Sequence, residues 1–418
     1  MTFGGAEDER FGEAERRRGL RVLLVSTFFA WAGFFVVVPL IAVHYVDRLG
    51  WTAASIGLVL AVRQFTQQGL TPLSGALADR LGAKGPIVAG MALRAVGFAA
   101  MAAADSYPLL MLSAVLAALG GALFESPRAA AIAALTTEED RPRFYARAGV
   151  AGGLGVTLGT QLGALLLRAD FALVCLAGAA CFVFICALVW FGLPPVRVAH
   201  GGGRALDGLR LAIRDRPFMT FNGFMAGYWF MWTQFSLSLP LAATAIAGTA
   251  NAVAWVYGVN SVATVVLGLP LPRLVGRRLR PPAMLVLGVG LTALGLAGVG
   301  AVDSTPPLFA AVLLFSVGSV LVRPSEQTVA AGLADPAALG SYFGIAALSL
   351  AVGGGLGNLV GGLLYDAGVG LGLPALPWLI FAAVGFASAA GLRATLLHPL
   401  GDAADRTPVP RRASRAAD

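Results

Sequence analysis

Between residues 171 and 193 the chain runs through more than 20 positions without one charged side chain. A helix needs about 20 apolar residues to cross the hydrocarbon of a bilayer, and only helices or closed barrels satisfy their backbone polar groups there. Comparable runs recur at 20–43, 54–78, 85–104 and 109–135, in a glycine-rich stretch after 147, and at 218–245, 253–271, 283–302, 307–334, 340–365 and 374–397. Together they predict an all-α membrane protein with twelve transmembrane helices. Only 12% of residues are charged, against roughly 25% in soluble domains, which excludes an ordinary soluble fold. The 54 glycines suit helices that pack closely inside lipid.

Charge is distributed by side. If the N-terminal segment is cytoplasmic, arginines such as Arg16, Arg17, Arg18, Arg141, Arg143, Arg147, Arg210, Arg214, Arg277 and Arg278 all fall on inner segments, and only Arg48 and Arg168 fall on outer ones. That bias places both termini in the cytoplasm and makes the net charge of +8 a record of topology rather than of nucleic-acid binding. The polar interval 194–217 divides the chain into an N-terminal segment 1–19, a six-helix bundle 20–193, a cytoplasmic linker with a short surface helix, a second six-helix bundle 218–398 and a tail 399–418. The halves repeat. Asp105, Ser106 and Pro108 match Asp303, Ser304 and Pro306, and Gly155, Gly159 and Gly163 match Gly353, Gly357 and Gly361, both at an offset of 198; Gly121 and Pro127 match Gly318 and Pro324 at 197. Two pseudo-symmetric six-helix bundles are a transporter architecture with the substrate path between them.

A charged connection lies between the second and third runs: Gly75, Asp79, Arg80, Gly82 and Lys84. An acid, two bases and two glycines at a membrane surface read either as a solvated turn or as a conformational latch. With its spacing Gly-x-Leu-x-Asp-Arg-x-Gly-x-Lys and its position in the chain, this stretch resembles the signature loop of the major facilitator superfamily. Residues 33–40, 62–69 and 124–128 are similar to drug-efflux members of that superfamily in bacterial inner membranes. The resemblance implies the superfamily fold, alternating access, and drug and proton antiport. It also implies that Asp79 caps the inner end of span eleven near Ser341 when the inner side is closed. Two features depart from antiporter patterns: Thr160 stands where a proline would follow the second glycine of span five, and Leu116 and Ala117 occupy the places expected for an arginine in span four. The second copy of the loop keeps Gly276, Arg277 and Arg278 but has Arg273 in place of the acid.

Six ionisable residues fall within the runs: Arg63, Arg94, Glu125, Arg128, Arg323 and Glu326. Each costs about 2.5 to 3.5 kcal/mol at mid-bilayer on insertion scales, so a paired or functional role is expected. Glu125 and Arg128, like Arg323 and Glu326, are three positions apart and share a helix face. They are either static ion pairs or a proton-coupling set that includes Arg94. Four bases against two acids suit an anionic or zwitterionic substrate. Arg63, Gln64, Phe28, Phe35, Trp229, Trp232, Gln234 and Phe235 are the candidate substrate-binding residues, offering aromatic and polar surface. Cys175, Cys181 and Cys186 sit inside one apolar run and read as small buried hydrophobes. With no nucleotide loop, metal cluster or catalytic constellation, the chain is expected to need no cofactor and to be no enzyme. Its partners are then a small-molecule substrate, protons and the lipid bilayer, and it acts as a monomer. The main reading is a proton-coupled exporter of lipophilic compounds. The alternatives are an exporter or uptake permease for an organic anion or metabolite, and a receptor on the same fold.

Overall fold

The computed structural model describes residues 12–137, 140–195, 205–335 and 338–397, without the side chains of 72, 73, 75–80, 142, 205–207, 209, 339 and 340. The described chain is helical throughout. Its first group comprises α1 (Glu13–Ala42), α2 (Ala53–Leu81), α3 (Lys84–Met101), α4 (Tyr107–Leu135), α5 (Arg141–Leu167) and α6 (Phe171–Gly192). The expected surface helix follows as α7 (Ala205–Arg214). The second group comprises α8 (Arg216–Trp232), α9 (Ser238–Ala247), α10 (Asn251–Leu267), α11 (Pro270–Gly276), α12 (Pro281–Val299), α13 (Thr305–Leu333), α14 (Leu339–Gly370) and α15 (Leu376–Leu396). A widened turn, Val43–Arg48, extends α1, and a tight turn, Thr233–Phe235, joins α8 to α9.

Nine of these helical stretches are long and apolar enough to cross a membrane, or ten when α10 and α11, bent by 56°, count as one span. The remaining expected spans are α2 and α3. Arg63, Gln64, Gln67 and Gln68 dilute the first, and Lys84 and Arg94 dilute the second, which is only 18 residues long. Polar residues weaken the apolar signal in the two helices that carry much of the central site described below.

Glycine determines which helices touch. On α5, Gly155, Gly159 and Gly163 lie against the carbonyl oxygens of Phe28, Ala32 and Val36 on α1, so close that a Cβ at any of them would collide with the α1 backbone. The neighbouring face of α5 turns Leu154, Leu158, Leu162 and Leu165 outward. This arrangement, small residues inward and large apolar ones outward, is expected where the surroundings are lipid and association rests on close backbone packing. The same ladder appears 198 residues later: Gly353 and Gly357 of α14 lie against the carbonyls of Ala226 and Phe230 on α8, and Gly361 against the Gln234 side chain. The partners repeat at the offset as strictly as the glycines do. Between α3 and α4, Gly90 meets Gly120, and Gly288 of α12 meets Gly318 of α13. Packing thus equates Gly318 with Gly120 rather than with Gly121.

With the end of the molecule where α1 begins called the near face, the hydrogen bonds between the two groups of helices, among the described residues, all lie toward the far face. Asp366 of α14 accepts from the first two amides of α2, and Gln161 Nε2 of α5 donates to the Ala254 carbonyl of α10 at 3.0 Å. Gly57 of α2 touches Asn358 of α14, and Gly362 of α14 touches Ala53 of α2, at backbone distance. The far ends of α2 and α14 are therefore shut against each other.

Near the start of α14, Ser341 packs on Gly208 of α7, and the Tyr342 hydroxyl donates to Asp215 Oδ2 at 2.9 Å. Asp215 Oδ1 meanwhile accepts from Phe218 N at 3.1 Å and caps α8. α7 is thus tied to the second group through Gly208 and, just past its end, through Asp215.

Candidate functional site

A cavity of about 430 Å³ lies between the two groups of helices, immediately on the near side of the α2–α14 contact. Three stripes at helical spacing build its first-group wall. From α1 come Thr27, Ala30, Trp31, Phe34, Phe35 and Val38; from α2 come Leu60, Arg63, Gln64, Gln67, Gln68 and Thr71; from α4 come Phe124, Glu125 and Arg128. Arg94 enters from α3. The second group supplies Trp229, Trp232, Thr233, Ser236, Arg323, Leu350 and Asn358. The apolar part of the wall is largely aromatic, with Ala30, Val38, Leu60 and Leu350 between the rings, and the polar groups are mostly arginine and glutamine.

The sequence-predicted residues divide clearly. Arg63, Gln64, Phe35, Trp229, Trp232, Arg94, Glu125, Arg128 and Arg323 all line this one cavity. Phe28, Gln234, Phe235 and Glu326 are not among its lining residues. Gln234 is fully buried: its Nε2 donates to the Phe230 and Gly357 carbonyls at 3.0 and 2.8 Å, and its Oε1 accepts from Ser238 at 2.8 Å. With those bonds made, the side chain joins α8 to α14. Phe235 stacks on Phe315 with ring centroids 5.4 Å apart and meets Tyr257 edge-on, as a core residue does. Phe28 lends its carbonyl to the glycine ladder and packs edge-on against Phe29. Of the latch residues, the side chains of Gly75, Asp79 and Arg80 lie outside the described residues. Gly82 ends α2 with φ of 78°, a conformation that glycine adopts without a Cβ clash. The Lys84 ammonium sits 6.0 Å from the Trp190 ring centre.

The static ion pairs, one of the two readings open from the sequence, are not formed. Among the described residues no carboxylate lies within 4 Å of Arg63, Arg94, Arg128 or Arg323, and the ion pairs present are Arg16–Asp140 and Arg17–Glu13, at the near face. The arginines rest on aromatic rings instead. Arg63 and Arg94 each place their guanidinium carbon 5.1 Å from the centre of Phe34, Arg128 lies 5.6 Å from Phe124, and Arg323 lies 5.0 Å from Trp229. Arg128 also donates to the Thr27 hydroxyl at 2.9 Å. Arg63 donates to Gln67 and Gln64, each at 3.2 Å. The Nε atoms of Arg63, Arg94 and Arg128 are buried without a hydrogen-bond partner.

Trp31, Phe34, Gln67, Gln68, Thr71, Phe124 and Asn358 are cavity residues beyond the predicted set. Their signal was the stripe itself: steps of three and four from Thr27 through Phe34 and from Arg63 through Thr71 lie on single helix faces.

A bundle of lipid-facing helices closed at one face over a central, drug-sized cavity defines a membrane transporter, a class distinct from enzymes. The chain belongs to the Major Facilitator Superfamily, whose family model matches it twice, over residues 23–248 and 224–417. It is 41% identical over 377 residues to the multidrug resistance protein MdtH of Sodalis glossinidius, covering 90% of this chain and 93% of that one. It is also 41% identical over 371 residues to MdtH of Klebsiella pneumoniae, covering 89% and 92%. Among solved structures, the nucleoside transporter NupG superposes with a TM-score of 0.75 at 16% identity, over 90% of this chain and 98% of that one. The human organic anion transporter MFSD10 superposes with a TM-score of 0.63 at 18% identity, over 90% and 99%. At such identities these structures speak for the fold alone.

Proposed function

We propose that this protein exports lipophilic small organic compounds across the bacterial inner membrane in exchange for protons, by alternating access and as a monomer. The observation that carries the reading is the aromatic and arginine-lined cavity between two groups of helices that are shut against each other toward the far face. The relatives named for multidrug resistance support an export role.

The span count belongs to the same reading. With α2 and α3 added, and with α8–α9 and α10–α11 each taken as one span, the helices number twelve, in bundles of six bounded at 20–193 and 218–398 with the linker 194–217 between them. The repeated glycine ladders and the double match of the family model support a duplication with pseudo-symmetric halves. The arginine bias puts both termini in the cytoplasm, so the near face is cytoplasmic and the conformer faces inward. In that orientation Asp79, Arg80 and Lys84 form the inner latch, which engages span eleven when the inner side closes. Glu125, exposed in the cavity, takes the proton, while Arg94, Arg128, Arg323 and Glu326 tune its release.

The test is efflux of a lipophilic dye panel in inverted vesicles with an imposed proton gradient. Gradient-dependent dye movement that collapses with an uncoupler is expected. No gradient-dependent flux of any compound would remove the reading.

A further inference from the structure

The cavity charges are unbalanced: four arginines line it against one carboxylate, Glu125. An arginine buried in a membrane protein normally finds an acid or a set of carbonyls, because the desolvated charge is otherwise costly. Arg94 finds neither. It is 5% exposed, its Nε has no hydrogen-bond partner, and no carboxylate stands within 4 Å of it among the described residues. Arg63 is satisfied only in part, by two neutral glutamine oxygens at 3.2 Å, and its Nε is also unpartnered. Both guanidinium carbons lie 5.1 Å from the same Phe34 centroid, so they are no further apart than twice that distance. Two like charges in one cavity wall repel, and the described protein offsets them only in part: the Glu125 charge acts on Arg94 from beyond ion-pair distance, and no carboxylate pairs with Arg63. The Phe34 ring they share, and the Phe182 ring 5.1 Å from Arg94, offset only part of that cost.

We infer that Arg63 and Arg94 form an anion subsite in the α2–α3 wall of the cavity, and that it takes the carboxylate of an aromatic acid whose rings rest on Trp31 and Trp232. The chemistry is specific. A guanidinium fork presents paired donors that match a planar carboxylate, and such charge-assisted bonds are about twice as strong as neutral ones. The amide oxygens of Gln64 and Gln67, which already accept from Arg63, hold that fork in place from the same helix. The surrounding aromatic surface rewards a flat hydrophobic body on the acid, and the volume suits one drug-sized molecule. This inference rests on the export reading for its physiological setting, yet the subsite is defined at equilibrium and needs no transport to be measured.

The experiment uses the full chain in nanodiscs of zwitterionic lipid and three probes of one shape: 2-naphthoate, neutral 2-naphthamide and cationic 2-naphthylmethylammonium. Binding is followed by titration calorimetry without any gradient. The parent protein should bind naphthoate at least tenfold more tightly than naphthamide, and the cation more weakly than either. Arg94→Gln and Arg63→Gln should each remove that preference. Arg94→Lys, which keeps the charge and guards against a folding artefact, should retain part of it. Equal binding of naphthoate and naphthamide by the parent, or a preference surviving in both glutamine variants, would overturn the inference. So would loss of the naphthoate preference in discs of anionic phosphatidylglycerol, since it would mean that a lipid headgroup phosphate is the subsite's natural occupant. Vesicle efflux is scored separately. Dye efflux without anion preference sinks the subsite and leaves the exporter standing, whereas naphthoate preference without flux of any compound does the reverse.

Discussion

The Asp366 carboxylate spans the two backbone amides that open α2, with Oδ1 2.9 Å from Ala53 N and Oδ2 2.8 Å from Ala54 N. The first amides of a helix have no partner within it, and an anion placed there is favoured by both the free N–H groups and the helix dipole. Thr52 caps the same turn through Ser55 N at 3.2 Å, so the start of α2 is held from its own chain and from α14 together.

Asp366→Asn should loosen this closure. The asparagine amide nitrogen cannot accept a hydrogen bond, so one of the two α2 amides loses its partner. A lost cap costs about 1 kcal/mol, or roughly a fivefold shift in a two-state ratio. With Cys175, Cys181 and Cys186 replaced by alanine, a cysteine at Thr233 should react about fivefold faster with an impermeant maleimide applied from the far side. Asp79→Asn should shift labelling the opposite way. Unchanged labelling in Asp366→Asn would mean that the cap does not hold the far side shut.

The glycine ladders make a paired prediction. Gly159→Leu pushes a side chain into the α1 backbone and Gly357→Leu does the same to α8, each an overpacking that costs about 1 to 3 kcal/mol. Both should lower the detergent unfolding temperature by at least ~2 °C, and by similar amounts. Gly344→Ala, where a Cβ would meet open space, should leave it unchanged. A large drop for one ladder and none for the other would argue against equivalent packing in the two groups.

Gln234→Leu separates architecture from substrate recognition. Removing the amide leaves the Gly357 carbonyl and the Ser238 hydroxyl short of a partner, at about 1 to 3 kcal/mol. The expected outcome is lower thermal stability with the substrate KM unchanged. A changed substrate profile at parental stability would return Gln234 to the binding site.

The two intramembrane glutamates should now differ. Glu125 lines the cavity and Glu326 does not. Glu125→Gln should abolish gradient-driven efflux while preserving substrate exchange at equal proton activity, and Glu326→Gln should only slow it. Normal gradient-driven pumping by Glu125→Gln would end its assignment as the proton carrier.

Much of this arrangement was legible in the sequence because membrane helices announce themselves by length, and the repeated glycines by their offset. The ladder glycines were visible as a repeat, but their partners were not: nothing local in Phe28 or Ala226 says that its carbonyl will meet a glycine more than a hundred residues away. For the site, the charges were legible because a charge in an apolar run is costly enough to need a reason. Their pairing was not, because i and i+3 places Glu125 and Arg128 on one face without deciding whether their tips meet. Gln234 and Phe235 misled for a related reason. A polar or aromatic residue near mid-span looks alike whether it faces a cavity or a neighbouring helix, and only the turn at Thr233–Phe235 rotates this pair inward to the helix packing.

The ladders also decide which surfaces are free to slip. Because α5 is keyed to α1 and α14 to α8 by backbone contact, neither pair can shear without forcing atoms through one another. Relative motion is left to the seams where α14 meets α2 and α5 meets α10. A compound that jams the protein without competing for its cavity therefore has two places to lodge, and resistance to such a wedge would arise at the seams, since the ladder glycines have no substitute.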